Sequence, residues 1–131
     1  MSGHLTLFTE YTIKQGCLPA FRDLVRRTFV PHVQVGEPGL KLYQWYESPD
    51  GTRVYQQSWY DDAEDFVAHM REALTSDRFV RLLELCDVTR VDVLGQPSEL
   101  AAGFLAGHKM VVNRYFAGFA RASLGSPDQP S

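Results

Sequence analysis

Along the first hundred positions the spacing of apolar residues switches between strand-like and helix-like periods, and the order of the switches leaves few folds open. Residues His4 to Lys14 alternate with a period of two and are rich in Leu, Phe, Tyr, Thr and Ile, which predicts a strand. The period then changes: Leu18, Phe21, Leu24, Val25, Thr28, Phe29 and His32 recur every three or four residues behind Pro19. A helix is predicted from Leu18 to Phe29 or slightly beyond, with Pro31 near its end. Glu37-Pro38-Gly39 marks a turn, because proline fixes one dihedral and glycine permits a positive one. Two aromatic-rich runs, Leu40 to Glu47 and Arg53 to Tyr60, flank Pro49-Asp50-Gly51 and predict a β-hairpin.

Asp61 or Asp62 is placed to cap the next helix, with Glu64 and Asp65 in its electropositive first turn. That helix carries Phe66, Met70, Ala73 and Leu74 on one face. Thr75-Ser76-Asp77 restarts it into another with Phe79, Leu82, Leu83 and Cys86. Val88 to Leu94 alternates as a fourth strand, ending at Gly95-Gln96-Pro97. The order is β-α-β-β-α-β, an α+β ferredoxin-like arrangement. A short helix from about Ser98 to Ala106 and a fifth strand around Lys109 to Tyr115 should follow. Ser123 to Ser131 has the composition of a disordered tail, leaving a domain over 1–122 with its core at about 4–97.

At 131 residues the chain is long enough for a core of its own. A net charge of -3 with no basic stripe argues against nucleic acid. No apolar run approaches a membrane span, and the start lacks the pattern of a signal peptide, so a cytoplasmic protein is expected. Cys17 and Cys86 show no metal-ligand spacing and read as two buried thiols.

Strand alternation separates two sets of side chains. The first strand divides Leu5, Leu7, Tyr11 and Ile13 from Thr6, Phe8, Glu10 and Thr12. The hairpin divides Leu42, Tyr46, Tyr55 and Trp59 from Tyr43, Trp45, Val54 and Tyr60. Neither face is polar throughout, and helices can cover only one of them. A homodimer with two sheets face to face is therefore expected. The apolar residues of the C-terminal extension, among them Phe104, Val111, Tyr115, Phe116 and Phe119, should pack on that dimer and reach the partner's sheet edge.

Several residues together resemble the antibiotic biosynthesis monooxygenase family: Glu10, Tyr11, Lys14 and Gly16; Phe21; Glu37-Pro38-Gly39 ahead of Tyr43 and Trp45; Ser48-Pro49-Asp50-Gly51; Trp59-Tyr60-Asp61; Phe66 with His69; and Ser76-Asp77-Arg78-Phe79. The resemblance spans about Leu5 to Pro97. It implies a dimeric α+β barrel and a cofactor-independent monooxygenase that oxidises a phenolic, hydroquinone or anthrone-like aromatic with O2. Gln57 stands where relatives often have Glu, and Arg78 where they often have a second His. No His lies between Phe79 and Cys86, where haem-degrading relatives place their iron ligand, which argues against haem. With no flavin, nicotinamide or metal motif in the chain, no cofactor or metal is expected, and geometry alone is left as the route by which haem or flavin could bind. The same scaffold also serves ligand-binding or regulatory dimers and small isomerases or cyclases.

Oxygenation without a cofactor needs a base, a dry aromatic slot and stabilisation of an anion. His69 is the candidate base, since imidazole titrates near neutrality and the residue adjoins the helix's apolar stripe. A structural histidine bonded to a backbone carbonyl, Asp65 or Glu72 is the competing reading. Trp59 and Tyr43 are the candidate slot, with Tyr60 beside them. His32 is a candidate for the cavity mouth, although a helix-end histidine commonly satisfies carbonyls. Arg78 could stabilise an anion, or simply sit solvated beside Asp77. Glu10 should pair with Arg53 or Arg90, or face the cavity. His4 and His108 have no partner in view.

Overall fold

The computed structural model describes residues 5–95, 99, 102 and 110–119. Strand β1 (Leu5–Ile13) is followed by helix α1 (Leu18–Leu24), a π-helical turn (Val25–Phe29) and α2 (Val30–Gly36). Strands β2 (Leu40–Glu47) and β3 (Arg53–Tyr60) form the hairpin. Helices α3 (Ala63–Leu74) and α4 (Asp77–Leu85) precede β4 (Cys86–Leu94), and a short β5 (Val111–Asn113) ends the sheet. The strand order is β2-β3-β1-β4-β5, antiparallel except for the β4–β5 pair. The expected ferredoxin-like α+β architecture is present.

The local causes are visible. The Asp62 carboxylate accepts the Asp65 amide at 2.9 Å and caps α3, while the Ser76 hydroxyl accepts the Phe79 amide at 3.2 Å and starts α4. The hairpin closes around Asp50, whose carboxylate accepts hydrogen bonds from the hydroxyls of Ser48 and Thr52 and from the Thr52 amide. Gly51 supplies the positive φ.

The first helix differs from expectation. It does not stop near Pro31 but continues to Gly36, and the π turn explains how. A proline within a helix cannot donate to the carbonyl four residues back and crowds it. Here the Val30 amide bonds the Val25 carbonyl, five residues back, and Pro31 enters as an early residue of α2. Cys86 begins β4 instead of closing α4, and only this thiol is buried; Cys17 is half-exposed at the start of α1.

The helices cover the face bearing Leu5, Leu7, Tyr11, Val54, Tyr60 and Val93, all nearly inaccessible. One half of the core packs Phe66 and Val67 of α3 on Leu5, Leu7, Tyr60 and Val93; the other packs Phe21, Leu24, Val25 and Phe29 on Tyr11 and Val54. The opposite face holds Thr6, Phe8, Glu10, Tyr55, Trp59 and Leu42, as the register of the ladder requires. On it Glu10 lies 3.9 Å from Arg53 and accepts the Thr89 hydroxyl at 2.7 Å, while Arg90 pairs instead with Asp92. In the single chain that face leaves Phe8, Tyr46 and Leu94 exposed, and Tyr115, Phe116 and Phe119 are also exposed. Strand β5 pairs in parallel with this chain's own β4. His4, His108, the predicted helix at 98–106 and the 123–131 tail lie wholly or mostly outside the described residues. Among the described residues no helix is long and apolar enough to cross a membrane.

Candidate active site

Helix α2 ends at Glu37, and the Pro38-Gly39 turn folds the chain back against the start of α3. The Gly39 carbonyl accepts the Asp61 amide at 2.9 Å, and a Cβ on Gly39 would collide with the Asp65 carboxylate. Glycine makes this approach without displacing the Asp65 side chain, and on the same turn Glu37 meets His69. The imidazole Nδ1 of His69 meets Glu37 Oε1 in a short contact, with His69 8% exposed and Glu37 19%. A carboxylate on Nδ1 fixes the ring's orientation and favours the tautomer whose Nε2 carries the lone pair. The expected partners, Asp65, Glu72 or a backbone carbonyl, are replaced by a residue 32 positions away.

Around this pair the sheet contributes phenols. The Tyr60 ring lies 5.5 Å from that of His69 and meets Phe66 edge-on at 5.4 Å. Burial pushes the Tyr60 hydroxyl well above its ordinary pKa, and the Glu37 charge adds to the effect. Burial also raises Tyr43, with Glu37 pushing further up and Arg78 pulling down, so its hydroxyl feels both charged groups. Beneath them runs a buried polar chain: the Tyr11 hydroxyl donates to Gln56 Oε1 at 2.8 Å, and Gln56 Nε2 donates to Ser58 Oγ at 2.9 Å.

At the outer side of the cluster Arg78 is 11% exposed, bonds the Glu72 carboxylate and holds its guanidinium 5.8 Å from the Phe29 ring centre. It is not the solvated residue that its place beside Asp77 suggested. His32 Nε2 approaches the same Glu72 oxygen at 3.3 Å and is half-exposed. Ligand atoms of His32, Glu37 and Glu72 lie within 4.8 Å of one another, yet Arg78 on Glu72 supplies the positive charge that a cation would bring.

Four buried polar atoms, Glu37 Oε2, Tyr60 Oη, Trp45 Nε1 and Arg78 Nε, make no well-formed hydrogen bond among the described residues, although Ser58 lies close enough to Tyr60, and Trp45 to Tyr43, to draw those phenols' pKa partly back down. Orphaned groups of this kind are costly and concentrate where a ligand or water is received. A cavity of about 450 Å3 opens between the first helix and β2, and of these four residues Trp45 alone is on its lining. Phe21, Val25, Val30, Tyr43, Trp45 and Val54 form its apolar wall, with Arg22, Arg26 and Glu47 also lining it. Tyr43 alone of the predicted site residues lines both the cavity and the charged cluster.

Residues 5–77 match the antibiotic biosynthesis monooxygenase family, more than half of the chain. The chain belongs to that family. Solved structures show the same fold at low identity. MupZ from Pseudomonas fluorescens superposes with a TM-score of 0.75 at 23% identity, over 94% of this chain and 93% of that one. SnoaB from Streptomyces nogalater, a cofactor-independent oxygenase, gives 0.61 at 14% identity, over 76% and 98%. Rv0793 from Mycobacterium tuberculosis gives 0.54 at 22% identity, over 73% and 97%. No curated protein matches the chain in sequence.

Within this monooxygenase-family fold, His69, Tyr60, Tyr43, Arg78 and His32 converge on the helix-covered side. Trp59 does not. It pairs with Thr6 and Leu42 on the opposite face of the sheet, whereas Tyr43 and Trp45 meet edge to face with ring centres 5.7 Å apart. Trp45 stacks on Tyr11 with centroids 5.5 Å apart. Glu37, Gln56 and Ser58 were not among the candidate site residues, and Glu72, expected as a partner of His69, instead bonds Arg78 and His32. Gln56 and Ser58 carried a signal, since they alternate with Val54 and Tyr60 and therefore had to be polar groups on the buried face.

Proposed function

We propose that the protein is a cofactor-independent monooxygenase acting on a phenolic, hydroquinone or anthrone-like aromatic, with His69 as general base. The observation that carries this reading is the buried His69–Glu37 pair beside Tyr60 and Tyr43. Family membership and the structural likeness to an oxygenase that works without a cofactor support it.

His69 Nε2 takes a proton from the substrate and leaves an electron-rich anion. Glu37 holds the imidazole and steadies its charged form. Dioxygen adds to the anion's carbon, which supplies the electrons. Loss of water from the resulting hydroperoxide, as at an anthrone methylene, then leaves one oxygen on carbon as a carbonyl and the other in water. No outside reductant is required. Tyr43 donates to a substrate oxygen, and Arg78 lends positive charge where the anion develops. The working unit is a cytoplasmic homodimer whose open sheet faces cover Phe8, Tyr46 and Leu94.

The test is oxygen uptake by metal-stripped protein with a panel of hydroquinones and anthrones, product mass, and the His69→Ala variant. Product gaining oxygen, with a rate falling about 10²-fold or more in the folded variant, is expected. Uptake at the spontaneous rate for every substrate removes the proposal. The cavity meets the charged cluster only through Tyr43, which favours as second reading a non-catalytic dimer that binds an aromatic metabolite. A small isomerase or cyclase would yield a product of unchanged mass.

A further inference from the structure

The cavity beside Tyr43 has charged groups that the proposed chemistry does not use. Its wall is aromatic and aliphatic, and its volume suits a ligand of two or three fused rings. Arg22 lies on its lining, bonded to Glu47 through Nε at 2.5 Å and through a second nitrogen at 2.7 Å. Arg26, carried by the π turn, lines the cavity too. Among the described residues it forms no ion pair, though its charge helps to hold the Glu47 carboxyl below its usual range, after the Arg22 hydrogen bond. Two cations and one anion leave the lining with a residual positive charge on a chain whose net charge is -3. The π turn matters here, because it sets Val25 and Arg26 into the wall along with Val30 of α2.

We infer that this cavity selects a planar aromatic acid, with the ring system on Tyr43 and Trp45, the reacting hydroxyl toward Tyr43 and the charged cluster, and a carboxylate at Arg26. The inference rests on the proposed site and names its substrate class. Arg26 is the residue that determines specificity, and its planar fork suits a carboxylate. Arg22 is neutralised by Glu47, which leaves Arg26 as the uncompensated charge of the lining.

The experiment is isothermal titration of the full chain with 6-hydroxy-2-naphthoic acid, which carries its hydroxyl and carboxylate at opposite ends, and with its methyl ester. The acid should bind about tenfold or more tightly than the ester, the discrimination expected of a charge-assisted hydrogen bond. Arg26→Gln, at an exposed position, should erase that preference by weakening the acid about tenfold more than the ester. Val30→Trp should weaken both ligands by filling the cavity. Equal binding of acid and ester, no binding of either, or a preference that survives Arg26→Gln would overturn the inference. Binding is read without turnover, so a preserved acid preference in a protein with no oxygen uptake would sink the oxygenase reading and leave this one standing.

Discussion

Glu37 and His69, 32 residues apart in sequence, meet in a buried hydrogen bond at Nδ1 of the imidazole. The contact forms beside a turn between α2 and β2 that lies against the N-terminus of α3, and it fixes the orientation of a histidine on a helix stripe.

Glu37→Gln retains an oxygen acceptor but loses the charge that steadies an imidazolium. Turnover should fall about 10- to 100-fold, the usual effect of removing a group that orients a reactive one. KM should change little, since Glu37 does not line the cavity. Steady-state kinetics beside far-UV circular dichroism would check this. A kcat equal to wild type would leave Glu37 with a packing role only.

Phe66 is fully buried, packed edge-on to Tyr60 in the half of the core that supports His69. Phe66→Ala should cost about 3–5 kcal/mol by urea denaturation, through lost transfer energy and a residual cavity. A loss below about 1 kcal/mol would mean that the neighbouring side chains collapse into the space.

Asp50 ties the hairpin turn. Hydrogen bonds from the Thr52 amide, the Thr52 hydroxyl and the Ser48 hydroxyl lower its carboxyl from 3.8 to about 2. A depressed carboxylate contributes stability above its unfolded pKa and loses it as pH falls through the folded one. Thermal melts of wild type and Asp50→Ala should therefore differ most above about pH 4 and converge as pH drops toward 2. A gap independent of pH would assign the effect to turn geometry, not ionisation.

The open sheet face should bury Phe8 and Tyr46 against a second copy. Sedimentation equilibrium should give a dimer for the wild type, and Phe8→Lys should shift it toward monomer, because an unpaired charge would be buried at the contact. A monomeric wild type at micromolar concentration would contradict the two-sheet arrangement.

Much of this was written locally. Period changes marked the elements of the core; of the two cap candidates Asp61 and Asp62 the second caps α3, and the restart at Thr75-Ser76-Asp77 is capped by Ser76. Alternation even separated Trp59 from Tyr43, so uniting them in one slot went against the strand's own register. What could not be read locally was contact across distance. Glu37-Pro38-Gly39 is legible as a turn, but the target of its carboxylate depends on how α2 and α3 dock. The length of the first helix was hidden because a proline normally ends one, and the irregularity that accommodates it has no simple sequence code.

That irregularity also acts as a phase setting. Over one turn the backbone spends an extra residue, so α2 begins about 100° behind the angle a uniform α-helix would give it. Wound uniformly, the same residues would swing Val30 away from the cavity and launch the chain toward Glu37 in another direction. A single residue of slack thus keeps two features in step: the helical wall of the cavity and the carboxylate that meets His69.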